Sequence, residues 1–151
     1  MSSLNRDTAV ILIIDSDPIT LMGMAAVLNM AGHECHCARD AEAALKAMRT
    51  LSLDLVVCDI DLKYGSGFAL CQELKQQSNM ADVPFMFVTS ADDPDIVDRC
   101  REAGASYYLR KPFDPDVLMD IVDKALWMPH LVQNRMNLRG PIRSANHAIH
   151  R

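Results

Sequence analysis

Five short apolar runs, each followed by a stretch of helical periodicity, limit this chain more than any other feature. The runs are AVILII from Ala9, ECHCA from Glu34, DLVVC from Asp54, PFMFV from Pro84 and SYYL from Ser106. Each has the length of a strand, and the segments between them carry helix punctuation. Asp17 before Pro18 reads as an N-cap with proline in the first turn, and Gly32 closes that helix. Asp40 opens DAEAALKAM, Ser66 opens SGFALCQELKQQ, Asp93 before Pro94 opens PDIVDRCREA up to Gly104, and Asp114 before Pro115 opens PDVLMDIVDKALW. A β-then-α order repeated five times requires a parallel sheet, because parallel neighbours need a crossover and the crossover helices must bury their apolar stripes on both sheet faces. The first, third and fourth runs are continuously apolar, as strands covered on both sides should be. In open sheets of this doubly wound kind, functional groups gather beyond the carboxyl ends of the strands, where the strand order reverses.

The 151 residues suffice for one ordinary domain whose core needs no disulfides. The longest wholly apolar run, residues 9–14, falls far short of the roughly 20 residues of a membrane span, and the N-terminus lacks the order of a signal peptide. These features predict a cytoplasmic chain with no membrane partner. Its five cysteines, without framework spacing, then read as reduced thiols used mostly in core packing. Charge is divided: residues 1–126 hold all 20 acids against 11 Lys and Arg, whereas residues 127–151 hold four Arg and no acid. An acidic body argues against nucleic-acid binding by the main domain, since phosphate neutralisation needs clustered Lys and Arg. Residues 1–128 therefore read as the domain. Residues 129–151, broken by Pro129, Gly140 and Pro141, read as a linker or partly ordered basic extension, with docking on an acidic partner or on the acidic body as the sharper reading.

The polar residues at the strand ends carry the chemistry. Asp15 to Asp17 follow the first strand, Asp59 the third, Thr89 and Ser90 the fourth, and Arg110, Lys111 and Pro112 the fifth. Two carboxylates about 4 Å apart repel by roughly 4 kcal/mol at an effective dielectric near 20, so Asp15 and Asp59 need a shared proton or a cation. A hard divalent ion suits them, because Mg²⁺ accepts one or two carboxylates completed by water and phosphate oxygens. Lys111 adds positive charge and Thr89 a hydroxyl donor, the groups needed to hold a phosphoryl group on a carboxylate nucleophile. On this reading Asp59 lies at the tip of its strand to be phosphorylated.

ILIIDSDP at 11–18, DLVVCDIDLKYGSGF at 54–68, PFMFVTSA at 84–91 and AGASYYLRKPF at 103–113 together resemble the response-regulator receiver domains of two-component signalling. The resemblance covers residues 8 to about 126 and implies a flavodoxin-like (βα)5 doubly wound parallel sheet in strand order 2-1-3-4-5. It implies that Asp59 takes a phosphoryl group from a phosphohistidine on a sensor histidine kinase or phosphotransfer protein. Asp15, Asp59 and the Asp61 carbonyl would hold Mg²⁺, Lys111 would pair with the phosphoryl group, and Thr89 would hydrogen-bond it. Thr89 would also couple to Tyr108, changing the face of the fourth helix, fifth strand and fifth helix. The Lys111–Pro112 bond is cis in relatives. Ser16 stands where the family usually has a second acid; it removes a formal charge, remains available in the second shell of the metal, and implies weak Mg²⁺ binding. Asp61 restores that charge if its side chain turns inward. Such a protein is a phosphoacceptor with at most slow self-dephosphorylation rather than an enzyme. Residues 127–151 show no output-domain pattern, so the output would be a separate effector or a domain outside this chain, and the family's habit of pairing through the fourth and fifth helices allows a homodimer.

Two other functions compete. A receiver-like docking module that is never phosphorylated is favoured by Ser16, and a phosphohydrolase of the haloacid dehalogenase type is suggested by Asp59-x-Asp61 with a later Thr89 and Lys111. The second needs an acidic metal-holding pair downstream, and Asp114 and Asp116 read instead as a helix start. HECHC at residues 33–37 does not read as a metal site, because His33, Cys35 and Cys37 point to one side of a strand and Glu34 and His36 to the other. Met22, Met24, Met30 and Met48 read as core filler. Of Tyr107 and Tyr108, one should face in and one out.

Overall fold

The computed structural model describes residues 8–127 and the backbone of one further two-residue strand, Arg143–Ser144. Five strands, β1 (Val10–Ile14), β2 (Glu34–Ala38), β3 (Leu55–Cys58), β4 (Phe85–Thr89) and β5 (Tyr107–Arg110), alternate with five helices. The helices are α1 (Pro18–Met30), α2 (Ala41–Thr50), α3 (Gly67–Lys75), α4 (Ile96–Glu102) and α5 (Pro115–Trp127). All five strands pair in parallel in the order β2-β1-β3-β4-β5, the doubly wound order. Arg143–Ser144, here β6, lies parallel to β5 at the end of the same sheet. The rest of the segment expected to be a linker or extension lies outside the described residues.

Alternation along each strand divides the core in two. Leu12, Ile14, Val56, Phe85, Phe87 and Tyr108 pack toward α2, α3 and α4, while Ile11, Ile13, Val57, Met86, Tyr107 and Leu109 pack toward α1 and α5. Both tyrosines are therefore buried, on opposite faces, and neither faces solvent. The expectation that one would point outward fails because helices cover both faces of the sheet. Cys58, Cys71 and Cys100 fill the core, and burial pushes the thiols of Cys71 and Cys100 up to about 12. Cys35 is half-buried and Cys37 exposed, because β2 is an edge strand.

The caps follow the sequence with one exception. Asp17 accepts from Ile19 N–H, Asp40 from Ala43 N–H, Ser66 from Phe68 N–H, and Asp114 from Asp116 N–H. Gly32 and Gly104 end α1 and α4 at φ +100° and +103°, a conformation glycine adopts without strain. Asp93 does not open α4: that helix starts at Ile96, and the Asp93 carboxylate pairs instead with Arg99 Nη1 at 3.4 Å. A second correction concerns α1. Met24 and Met48 are in the core, but Met22 and Met30 are 71% and 88% exposed. Every residue of α1 is uncharged, so its sequence offers no polar face by which to orient it.

Candidate functional site

The backbone ladder carries on one residue past the strands and so sets the site. Asp15 N–H donates to Ala38 O at 3.1 Å, Asp59 N–H to Ile14 O at 2.9 Å, and Lys111 N–H to Thr89 O at 2.9 Å. Residues 15, 59 and 111 are thereby brought to the carboxyl edge of three different strands. The Lys111–Pro112 bond is cis.

One ammonium joins two carboxylates. Lys111 Nζ donates to Asp15 Oδ2 at 2.7 Å and to Asp59 Oδ2 at 2.9 Å. Asp15 is 1% exposed and Asp59 9%, so the pair sits where charge is poorly solvated and a cation is worth most. Burial pulls the Lys111 pKa down, but its hydrogen bonds and charge pairing with both carboxylates more than offset this and leave it above 10.5. The second oxygen of each carboxylate is held by the loop that follows it: Asp17 N–H donates to Asp15 Oδ1 at 2.9 Å, and Asp61 N–H to Asp59 Oδ1 at 3.2 Å. The acids are thus oriented before any ligand arrives.

The remaining sequence-predicted residues lie on the strands and loops next to this triad. Thr89 ends β4, fully buried, and its hydroxyl accepts from Ala91 N–H at 3.2 Å. Tyr108 directs its hydroxyl to the carbonyl of the same Ala91 at 3.4 Å, and burial raises its pKa. Ser16 is half-buried beside Asp15 in the chain. Asp61 is exposed, and its carboxylate does not restore the charge that Ser16 lacks: among the described residues no group of three or more His, Cys, Asp or Glu gathers to hold a metal. Asp61 lies in a two-residue antiparallel pairing with Gly65–Ser66. Two hard carboxylates remain, an incomplete oxygen cage of the kind Mg²⁺ accepts. The HECHC stretch divides as alternation requires, with Glu34 Oε2 and His36 Nε2 paired at 2.6 Å and Cys35 packed toward α1 and α5.

Gly67 is a site residue that the sequence pattern did not single out. A Cβ there would lie 2.2 Å from the Asp59 carbonyl oxygen and 3.0 Å from Ile60 Cα, both backbone atoms without room to yield. Gly67 N–H donates to Ile60 O at 2.7 Å, closing the loop that follows the acceptor strand. Gly67→Ala is expected to lower stability by about 1–3 kcal/mol, read as a urea midpoint shift, because overpacking here displaces the loop that carries Asp59.

A sequence model of the response regulator receiver domain matches residues 11–123. The chain belongs to this family. Over 110 residues it is 34% identical to the phosphate regulon transcriptional regulatory protein PhoB of Pseudomonas aeruginosa, covering 72% of this chain and 48% of that protein. Over 111 residues it is 33% identical to the DNA-binding dual master transcriptional regulator RpaA of Synechocystis sp., covering 72% of this chain and 45% of that protein. The chain thus spans less than half the length of these two relatives. Among solved structures, a response regulator from Chloroflexus aurantiacus J-10-fl is 31% identical, with a TM-score of 0.75 over 79% of this chain and 98% of that one. Receiver domains are in general signalling switches rather than dedicated enzymes, and they generally bind Mg²⁺ at the phosphorylation site. No helix among the described residues is long and apolar enough to cross a membrane.

Proposed function

We propose that this receiver is a phosphorylation-controlled switch in which Asp59 accepts a phosphoryl group from a partner histidine kinase or phosphotransfer protein. The observation that supports this most is the Lys111 ammonium shared by Asp15 and Asp59. A carboxylate oxygen of Asp59 attacks phosphorus, an O–P bond forms as the donor's N–P bond breaks, and the donor imidazole leaves. Lys111 offsets the charge on the transferring oxygens, and the Thr89 hydroxyl donates to one of them. Asp15 and Asp59, with the Asp61 carbonyl, would hold Mg²⁺, which when bound neutralises further negative charge on the phosphoryl group. Incubation with acetyl phosphate and Mg²⁺ should add one phosphoryl mass to the intact chain. A chain that gains none is instead the fixed docking module that Ser16 favours.

With two carboxylates and Ser16, Mg²⁺ affinity is expected to be about millimolar, at the weak end of few-carboxylate oxygen sites. Amide NMR is the suitable readout, because the single tryptophan, Trp127, lies beside Thr8, Ala9 and Pro84 at the opposite end of the sheet. Shifts at residues 15 and 59 that do not saturate at tens of millimolar Mg²⁺ would contradict the proposed site. The phosphohydrolase reading lacks support, since the Asp114 carboxylate accepts from the Asp116 backbone N–H as a helix cap, and among the described residues no group of three or more His, Cys, Asp or Glu gathers to hold a metal.

The donor would meet α1. The first turn of this helix follows Asp17, whose N–H donates to Asp15, and Ile19 and Met22 are 78% and 71% exposed on an uncharged helix, an exposed apolar pair in its first turns. Met22→Glu is expected to slow transfer from a phosphohistidine protein about 10-fold or more while leaving acetyl phosphate labelling unchanged. Equal slowing of both reactions would place the effect in the pocket rather than in docking.

A further inference from the structure

The edge of β5 is where the described structure goes beyond a five-stranded receiver. In the order 2-1-3-4-5, β5 would present a row of unpaired backbone groups, the template on which another chain can add a strand. Here the first half of that row is covered by β6, with Tyr107 opposite Arg143 and Tyr108 opposite Ser144. The path from β5 through α5 to a parallel β6 is a further strand-helix-strand crossover, the same unit that builds the rest of the sheet. The 15 residues from 128 to 142 can reach about 50 Å when extended, so α5 and β6 can belong to one molecule.

Charge favours the same occupant. Residues 127–151 carry Arg135, Arg139, Arg143 and Arg151 with no acid. The elements flanking β5 are acidic on balance: Asp114, Asp116, Asp120 and Asp123 against Lys124 on and before α5, and Asp92, Asp93, Asp95, Asp98 and Glu102 against Arg99 and Arg101 on and before α4. Of these acids, Asp92, Asp93, Asp98 and Asp120 are already paired to Arg110, Arg99, Arg101 and Lys124. A chain of hydrogen bonds also leads from the pocket to this edge. Ala91 N–H donates to Thr89 Oγ1, the Tyr108 hydroxyl donates to Ala91 O, and the Tyr108 backbone lies in register with Ser144.

We propose that Arg143–Ser144 form a regulatory strap of this same molecule, docked as a sixth parallel strand on β5 and shifted by phosphorylation of Asp59. While docked it denies the β5 edge to strand-adding partners, and its release would open that edge to them. The docking half stands independently of the proposed phosphoacceptor, whereas the regulatory half rests on it.

Amide hydrogen exchange on the full chain separates these halves. Without any phosphoryl analogue, the β5 peptide of the monomer should exchange at least about 10-fold faster in an Arg143→Pro/Ser144→Pro double variant than in wild type, since proline removes both strand donors. Equal exchange in the two proteins would overturn the docked strand and leave Asp59 untouched as acceptor. Protection that appears only as the chain dimerises with concentration, followed by light scattering, would assign the strand to a second copy and overturn the strap. Beryllofluoride with Mg²⁺ should then change exchange at β5 and residues 143–144 in wild type but not in Asp59→Asn. Unchanged exchange in wild-type chain shown by NMR to have bound beryllofluoride would overturn the regulatory half.

Discussion

Asp59→Asn is expected to abolish stable phosphorylation by acetyl phosphate while leaving the fold intact and, in the absence of Mg²⁺, somewhat more stable than wild type. The direction follows from the charges that Lys111 joins. In the wild type two carboxylates face one ammonium, a net charge of −1 in a buried cluster. Asparagine at position 59 keeps one acceptor oxygen, for either the Asp61 N–H or Lys111, and removes one carboxylate, leaving a neutral Asp15–Lys111 pair. The expected gain is about 1 kcal/mol, the scale of a partly buried charge interaction after solvent screening. Intact-mass measurement and urea unfolding of the two proteins side by side check both halves. A variant that still gains a phosphoryl mass would move the acceptor elsewhere, and a variant destabilised by several kcal/mol would mean that Asp59 serves the fold rather than the chemistry.

Lys111→Met is expected to have the opposite effect on stability and a similar effect on function. Removing the ammonium leaves Asp15 and Asp59 buried without their common partner, at a cost of about 2 kcal/mol, less than for a fully dry pair because Lys111 is itself 18% exposed in its side chain. The loss should shrink as Mg²⁺ is raised through the millimolar range, since a cation binding the folded site stabilises it by mass action. Phosphorylation by acetyl phosphate should fall about 100-fold, the usual scale for deleting one charge-stabilising group. A destabilisation indifferent to Mg²⁺ would show that the carboxylates do not share a cation site. The raised Lys111 pKa adds a pH signature. A base held above its ordinary 10.5 contributes its full stability below that value and loses it as pH rises through the higher folded value. The gap in stability between wild type and Lys111→Met should therefore be constant from neutrality to about pH 10 and close above it.

The fold was legible because its signal is distributed over the whole chain: five strand-length runs, capped helices between them and the doubly wound logic leave few other arrangements. The placing of the candidate site was legible because open parallel sheets bring residues 15, 59, 89 and 111 to the carboxyl ends of their strands. What the sequence did not reveal depended on long-range contacts or on sterics. Asp17-Pro18 and Asp93-Pro94 are the same dipeptide, yet only the first caps its helix; α4 starts three residues after Asp93, whose carboxylate pairs with Arg99 instead. Met22 and Met24 differ in burial because two residues apart they lie on opposite sides of α1, and the sequence hides which side is outer because α1 has no charged residue to mark it. Gly67 matters through a clash with the Asp59 carbonyl that no spacing rule encodes. Two residues, Arg143 and Ser144, lack the length and the β-branched pattern that identify a strand, so their pairing with β5 depends on the edge they meet rather than on their own preference.

Borohydride trapping tests the central claim most directly, because it reduces an aspartyl phosphate to homoserine and marks the acceptor permanently. After incubation with acetyl phosphate and Mg²⁺, peptide sequencing by mass spectrometry should find homoserine at position 59 and at no other aspartate. Homoserine at Asp15 or Asp61, or at no position while the chain carries phosphate, would contradict the assignment.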